Sequence, residues 1–565
     1  MRIVLIPDAE GTFRLRGVAD GAPLPNNSPE WVDPVEQGVD PARIAELEHA
    51  HQPRWVIPAA EQLYPALYRA GIRLGRCHDL ALTEALLLGH AGRHAAPHRL
   101  PAAWARLHGL PEPPDAEPAL PHQPDQPGLF EPTGQPIPKG VEPLRAATEV
   151  YLAQQRAIAE AAQPQRLRLL AAAESAGALA AVEMAEEGLP WRTDVHLALL
   201  ERLLGPRPSA GERPRKLAEL AERISVAFGG RPINPDHPAS VVRAFTSAGI
   251  DVPSTRAWVL REIDHPAIPD LLEYKELARL YAAHGWHWLQ TWVSGGRFRP
   301  VYVVGGVVSG RWASRGGAAL QLPKELRTAV RADAGHRLVV ADAAQLEPRV
   351  LAALAKDDRL AQVSGSADLY ENLAADSFAG DRARAKIAML SAMYGGTSGE
   401  AGPLLATLRK RFPLAVDYVE SAALAGERGE LVRSQLGRTS PPPSEQWRAA
   451  TGMSTEDAAA ERRTRRIARE WGRFTRNFVV QATAAEWALV LLATLRGKLA
   501  EQAPGAHVVF YLHDEVLVHC PTEQADTVRA LLRQSARIAT ELVFPGTKVR
   551  FPLEIAIVEC YADAK

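Results

Sequence analysis

The chain has 565 residues, 46% of them apolar and 23% charged, with a formal net charge of −1. That length exceeds one hydrophobic core and implies two to four domains of ordinary globular composition. Balanced charge gives no overall sign of a polyanionic partner, and three scattered cysteines (Cys77, Cys520, Cys560) exclude a disulfide scaffold or structural zinc site.

No apolar run approaches a membrane span, and the N-terminus lacks the layout of a signal peptide, so a reducing cytoplasm and no membrane are expected. Residues 1–100 mix short strands (RIVLI, RWVIP) with amphipathic helices (AEQLYPALYRAG, LALTEALLLGHAG). Residues 111–143 are crowded with proline, which cannot sustain helix or ladder hydrogen bonds, and read as an extended linker or surface loop. Helical patterns follow from about 144 to 226 and again over 255–292, and Trp286, Trp288 and Trp292 fall at core spacing. From 300 the segment PVYVVGGVVSGRW reads as strand, followed by a strand ending at Asp342 and a helix beginning near Gln345. Residues 368–480 read as almost entirely helical, before a strand pair about Asp514 and Glu515 restores the sheet.

Both Asp342 and the pair Asp514–Glu515 stand where a run of apolar β-formers gives way to carboxylate. A charge at the tip of a buried strand is costly without a partner. Two such tips brought together would hold divalent cations such as Mg2+, which take carboxylate oxygens and keep places for substrate phosphates. Taken alone, Asp342 reads equally well as a helix cap, and Asp514–Glu515 as ordinary turn chemistry.

Between the two acids lies RARAKIAMLSAMYGG, in which Arg382, Lys386, Leu390 and Tyr394 recur every four residues. They form one slowly winding stripe, cationic at its N-terminal end and apolar beyond, which suits a nucleoside triphosphate. The plainer reading is a solvated basic pair on a helix whose Leu and Tyr are core. Further on, Arg462, Arg466, Arg469, Arg473 and Arg476 follow spacings of four, three, four and three and share a helical face. Like charges so placed repel, and a polyanion along that face relieves the repulsion.

In this order the motifs resemble those of the family A DNA polymerases, of the bacterial DNA polymerase I type without the 5′-nuclease domain. Asp-x-x-Gln-x-Glu-x-Arg is matched by Asp342, Gln345, Glu347 and Arg349. Arg-x3-Lys-x3-Phe/Tyr-x3-Tyr-Gly is matched by Arg382, Lys386, Tyr394 and Gly395, and His-Asp-Glu by His513, Asp514 and Glu515. Arg473, Asn477 and Gln481 match positions that touch primer and template, and SGRWAS and LQLP supply Arg311 and Gln321. The resemblance runs from about residue 146 to the C-terminus.

It implies an α+β right-hand polymerase preceded by a reduced RNase H-like exonuclease-type domain. The implied domains are 1–145 (degenerate 3′–5′ exonuclease-like), 146–300 (helical thumb), 301–367 with 477–565 (palm) and 368–476 (fingers and adjoining DNA-binding helices). Asp342 and Asp514 would bind two Mg2+ ions, with Mn2+ as a substitute, and Glu515 would be an auxiliary acid. Lys386 and Arg382 would contact the triphosphate, with Lys386 also the proton donor to pyrophosphate. Gln345, His513, Leu390 and Tyr394 would complete the nucleotide site, and Glu347 would be the steric gate against a ribose 2′-OH. Arg311, Gln321, Arg466, Arg469, Arg473, Asn477 and Gln481 would bind DNA. The expected partners are primer-template DNA and dNTPs, the chain acting as a monomer in replication or repair.

Two departures stand out. Leu390 replaces the family's Phe or Tyr, which puts sugar discrimination in question, and Ala482 stands where Gly is frequent. The N-terminal region lacks the family's exonuclease carboxylates: Tyr151 stands near the place of the last Asp, and Asp8-Ala9-Glu10 reads as a turn. A weak surviving 3′–5′ exonuclease, a single-subunit RNA polymerase and a catalytically idle DNA-binding scaffold are the competing readings. Glu347 within Gln-x-Glu-x-Arg argues for DNA synthesis.

Overall fold

The run RIVLIP forms the central strand, β1 (Arg2–Pro7), of a five-stranded sheet, and its uninterrupted apolar character reflects burial on both faces. The computed structural model describes residues 1–8, 11–18, 31–116, 137, 140–209, 211–365, 368–396, 401–452 and 458–564. With β2 (Phe13–Val18), β3 (Trp31–Val39), β4 (Arg54–Ile57) and β5 (Arg76–Asp79) the strand order is β3-β2-β1-β4-β5. β1 runs antiparallel to β2 and parallel to β4, as β4 does to β5. Ile3 and Leu5 pack on one face with Trp55, Tyr64 and Leu179, whereas Val4 and Ile6 pack on the other with Leu144, Ala147 and Tyr151. The helices α1 (Pro143–Glu160) and α2 (Pro164–Glu187) thereby cover opposite faces of the sheet. Most of the proline-rich stretch 111–143 lies outside the described residues.

The chain divides into two compact units. The first holds residues 1–187, 302–313 and 335–557, and the second holds 188–301, 314–334 and 558–565. Residues 146–187, grouped by sequence with the helices beyond them, therefore share the core of the N-terminal sheet. In the second unit, helices Thr193–Leu204, Arg215–Ala227 and Ile268–His284 close over Leu200, Leu220, Phe245, Leu271 and Tyr274. A further helix, Pro238–Ser247, lies between the helical stretches read over 144–226 and 255–292. Trp286 and Trp288 are buried there, Trp288 lying 5.3 Å from Trp191 and 4.8 Å from Phe298.

The expected strand over 300–312 is a strand only at Val301–Val303. Gly305 and Gly310 take φ of 62° and 84°, a region open to glycine, and turn the chain before Arg311. The second sheet of the first unit comprises β6 (His336–Ala343), β7 (His507–Leu512), β8 (Glu515–Pro521) and β9 (Leu553–Val558), in the order β7-β8-β6-β9. After β6 come α3 (Leu346–Ala355), α4 (Leu369–Ser377) and α5 (Arg382–Tyr394). A single 45-residue helix, α6 (Ala458–Gln502), returns the chain to β7. Its apolar half is long enough to cross a membrane, contrary to the expectation that no such run exists; that stretch is mostly buried within the fold.

The two sheets of this unit are tied by buried charge. Arg496 of α6 donates to Glu183 of α2 at 2.5 Å and to the carbonyls of Leu74 (2.5 Å) and Gly75 (3.0 Å). Tyr64 and Arg73 donate to the same Glu183 at 2.7 and 3.1 Å. An enclosed carboxylate of this kind persists because every oxygen is matched.

Candidate active site

β7 and β8 form a hairpin closed by the pair Leu512–Glu515, with His513 and Asp514 as its two-residue tip. Tight hairpin tips need a positive φ, which glycine or asparagine normally supplies. Here His513 takes it, at 58°, so an imidazole is held in a backbone conformation that costs it free energy. β6 lies antiparallel to β8 with Asp342 directly across from Glu515, and the amide of Ala343 donates to the carbonyl of Asp514 at 3.1 Å. Register thus brings Asp342 and Asp514 to the same end of neighbouring strands. Both are half-buried, whereas Glu515 is buried. Asp342 does not occupy the cap of the following helix; that position belongs to Gln345.

The strand end that carries Asp514 is buttressed by aromatic packing. Tyr511 meets Trp312 edge-on at 4.8 Å, and Trp312 meets Tyr302 at 5.5 Å. Beside Trp312, Arg311 reaches Glu347 at the start of α3 and pairs with its carboxylate. The other oxygen of Glu347 accepts from the hydroxyl of Tyr394 at 2.5 Å. Burial and then this bond push the Tyr394 phenol up to about 12, with the neighbouring Gln481 side chain acting in the opposite direction. His513 is held below its ordinary value by burial and by Arg311. Arg349 is fully buried and donates to the carbonyls of Ala344 (2.8 Å), Ser364 (2.5 Å) and Arg550 (3.0 Å), fixing the turn that follows β6.

α5 carries the predicted stripe on its open side. Arg382, Lys386 and Tyr394 are exposed and Leu390 half-buried, while Ala385, Ala388, Met389, Ala392 and Met393 are buried. Leu390 and Tyr394 are therefore not core residues. Asp381 caps the helix by accepting from Arg384, and Gly395 ends it at φ 75°. A Cβ on Gly395 would lie 2.9 Å from Cγ of Arg473, so glycine also permits the approach of α6.

The arginine face is shorter than its spacing suggests. Arg462, Arg466, Arg469 and Arg473 are exposed, but Arg476 is buried, donates to the carbonyl of Ala392 at 2.5 Å and lies 4.0 Å from Glu420. Arg476 joins α6 to α5 and leaves the exposed face at four arginines. Asn477 and Gln481 continue down the helix, half-buried, with the amide oxygen of Asn477 enclosed and without a partner among the described residues. Gln321 lies in a one-turn 3-10 helix of the second unit, Ala319–Gln321, and its side chain is outside the described residues.

One residue of the site escaped the sequence reading. Asp368, at the cap of α4, accepts from Gln345 at 2.9 Å and pairs with Arg382 at 2.8 Å. Its only sequence signal is an acid before a helix, which is ordinary capping.

In the N-terminal sheet, β1 carries no carboxylate. Asp8 pairs with Arg14 at 2.8 Å in the turn between β1 and β2, and Ala9 and Glu10 lie outside the described residues. Tyr151 is buried against His78, ring centroids 5.0 Å apart.

Acid-tipped antiparallel strands, a cation-bearing helix and a long arginine-rich helix place the molecule in the class of right-hand polymerase folds. The chain belongs to DNA polymerase family A, whose sequence profile matches residues 215–562. It is 24% identical over 321 residues to a DNA polymerase I of Caldicellulosiruptor bescii, covering 52% of this chain and 36% of that protein. A DNA polymerase I of Chloroflexus aurantiacus is 26% identical over 375 residues (59% and 38% covered). The thermostable DNA polymerase I of Thermus aquaticus is 25% identical over 349 residues (55% and 38%). These alignments span less than two fifths of the length of those relatives. Among solved structures, the POL domain of Pol1 from M. smegmatis, in complex with DNA primer-template and dNTP, aligns with a TM-score of 0.70 at 18% identity. That alignment covers 100% of this chain and 95% of the other and shows the shared fold.

Proposed function

We propose that the chain is a template-directed DNA polymerase, extending a primer 3′-OH with deoxynucleoside triphosphates and releasing pyrophosphate. The observation that carries this reading is the meeting of Arg311, Glu347 and Tyr394, from three separate segments, in one bonded cluster.

Divalent metal fits the donor set. Asp342 and Asp514 are hard, half-buried carboxylates at the same end of neighbouring strands. Two carboxylates with substrate phosphates are the usual complement for Mg2+, and Mn2+ accepts the same donors. Bound there, the ions would activate the primer hydroxyl and neutralise charge on the phosphates.

The remaining chemistry belongs to side chains. Lys386, exposed and cationic, would bind the triphosphate and give a proton to the departing pyrophosphate. Arg382 would bind phosphate beside it, with Leu390 and Tyr394 against sugar and base. Glu347, held from two sides by Arg311 and Tyr394, would stand against a ribose 2′-OH. Arg466, Arg469 and Arg473 would bind backbone phosphates, while Asn477 and Gln481 carry the contact towards Tyr394. On this reading the second sheet is the palm, the helices about α5 are the fingers, and those of the second unit are the thumb. The N-terminal sheet is read as a reduced RNase H-like exonuclease fold without its acids, a reading supported by the absence of carboxylate from β1.

The test is extension of a primed template with dNTPs or NTPs. Extension with dNTPs, lost in Asp514→Ala, supports the proposal. Extension only with NTPs, or none in the folded wild type, rejects it.

A further inference from the structure

Asp368 makes more contacts than a helix cap requires. One oxygen accepts from the Gln345 side chain (2.9 Å) and from the amides of Tyr370 (2.8 Å) and Glu371 (3.2 Å). The other accepts from Nε of Arg382 (2.9 Å) and pairs with its Nη2 (2.8 Å). The guanidinium also lies 5.7 Å from the ring centroid of Tyr370. Arg382 is thus already bound to an anion, through the planar fork with which it would grip phosphate. Lys386, one turn further along the stripe, is exposed, and no carboxylate among the described residues pairs with it. The two cations of the stripe are therefore unequally available.

We propose that Asp368 is a resident anion on Arg382, exchanged for phosphate when the nucleotide binds, and so a positioning residue that sets which phosphate chains the stripe accepts. The inference rests on the assignment of α5 as the nucleotide helix. Burial opposes ionisation of Asp368, but bonds from Arg382 and Gln345 outweigh it and hold the carboxyl below its ordinary range, so the anion is present at neutral pH. A triphosphate carries enough charge to displace one carboxylate; a shorter phosphate chain competes less well. Because Asp368 also holds Gln345, three residues beyond Asp342, the exchange changes the restraint on the turn that follows the metal-binding strand.

Capping and electrostatic roles can be separated, since asparagine and serine cap helices about as well as aspartate. Binding of dATP and dADP, each with Mg2+, would be measured by calorimetry for the full chain, Asp368→Asn, Arg382→Ala and the double variant. The expected result is dATP binding roughly three-fold tighter in Asp368→Asn, the scale of a half-exposed ion pair, with a larger gain for dADP. Most of that gain should vanish when Arg382 is absent. Unchanged or weaker dATP binding in Asp368→Asn, or an equal gain without Arg382, overturns the proposal. Asp368→Ser provides the same comparison if the Asn variant melts early. A wild type that neither binds dATP nor extends primers sinks the polymerase reading along with this one. A wild type that does both, with no coupling between Asp368 and Arg382, sinks only the exchange.

Discussion

The hydroxyl of Tyr394 donates to Glu347 at 2.5 Å while Arg311 pairs with the second oxygen of the same carboxylate, so the residue read as the sugar gate is fixed from two sides. Its position is set by α5 and by the segment before Trp312 rather than by α3 alone.

Glu347→Ala should therefore lower discrimination against ribonucleotides by roughly 10- to 100-fold, the range available to a shaped contact with one sugar substituent. The ratio of kcat/KM for dATP and ATP checks this. Tyr394→Phe leaves Arg311 to hold the carboxylate, and the expected loss is smaller, with about 1 kcal/mol of stability removed. Equal losses in the two variants would show that Arg311 alone does not hold the carboxylate in place.

Leu390 lies on the same face of α5, half-buried between Lys386 and Tyr394. An aliphatic group offers neither a stacking plane nor a hydroxyl to the incoming sugar. Leu390→Phe and Leu390→Tyr should change the dideoxy-to-deoxy incorporation ratio while extension with dNTPs continues. Identical ratios across the three proteins would remove Leu390 from sugar selection.

The arginines of α6 divide into two kinds, and their variants should separate accordingly. Removing Arg466 and Arg469 should leave thermal stability nearly unchanged and reduce the slope of log affinity for DNA against log salt by roughly 0.9 per arginine. Arg476→Ala should instead lower stability by about 2 kcal/mol, because it frees the carbonyl of Ala392 and opens a buried space. Salt titrations and melting curves on the same preparations distinguish the two outcomes.

Glu486, buried on α6, accepts from the amide of Leu436 at 2.9 Å and from the hydroxyl of Ser434. Burial pushes its carboxyl up to about 7 despite these bonds. A raised value means that ionisation opposes folding. The contribution is fully favourable below the ordinary glutamate range, falls as pH rises, and reaches its full cost above about 7. Glu486→Gln keeps an acceptor without the charge. It should match wild type near pH 4.5 and be more stable at pH 8, by on the order of 2–3 kcal/mol. A pH-independent difference in melting temperature would count against this assignment.

Much of the site was legible because its residues stand where chain periodicity changes. Asp342 and Asp514 end apolar strands, and the stripe of α5 repeats every four residues, patterns that survive without knowledge of tertiary contacts. The arginine face was legible in direction but not in extent. Nothing in the spacing marks where α6 passes from water into the core, so Arg476 looked like its neighbours. Asp368 was invisible for another reason: its partners Gln345 and Arg382 lie 23 and 14 residues away, and only folding joins them. In the N-terminal region β1 and β4 were plain apolar runs. β5 was hidden because RCHD runs straight into the following helix.

The buried contacts of Arg496 bear on how this chain can be shortened. Tyr64, Arg73 and the carbonyls of Leu74 and Gly75 belong to the N-terminal sheet region, yet they complete the surroundings of two ions on α2 and α6. A chain cut back to its family-matching segment would lose Glu183 as well and leave Arg496 enclosed without a counter-charge, a state far less tolerable than losing surface area. The N-terminal sheet is in this way indispensable as architecture: it is kept by the electrostatics of its neighbour.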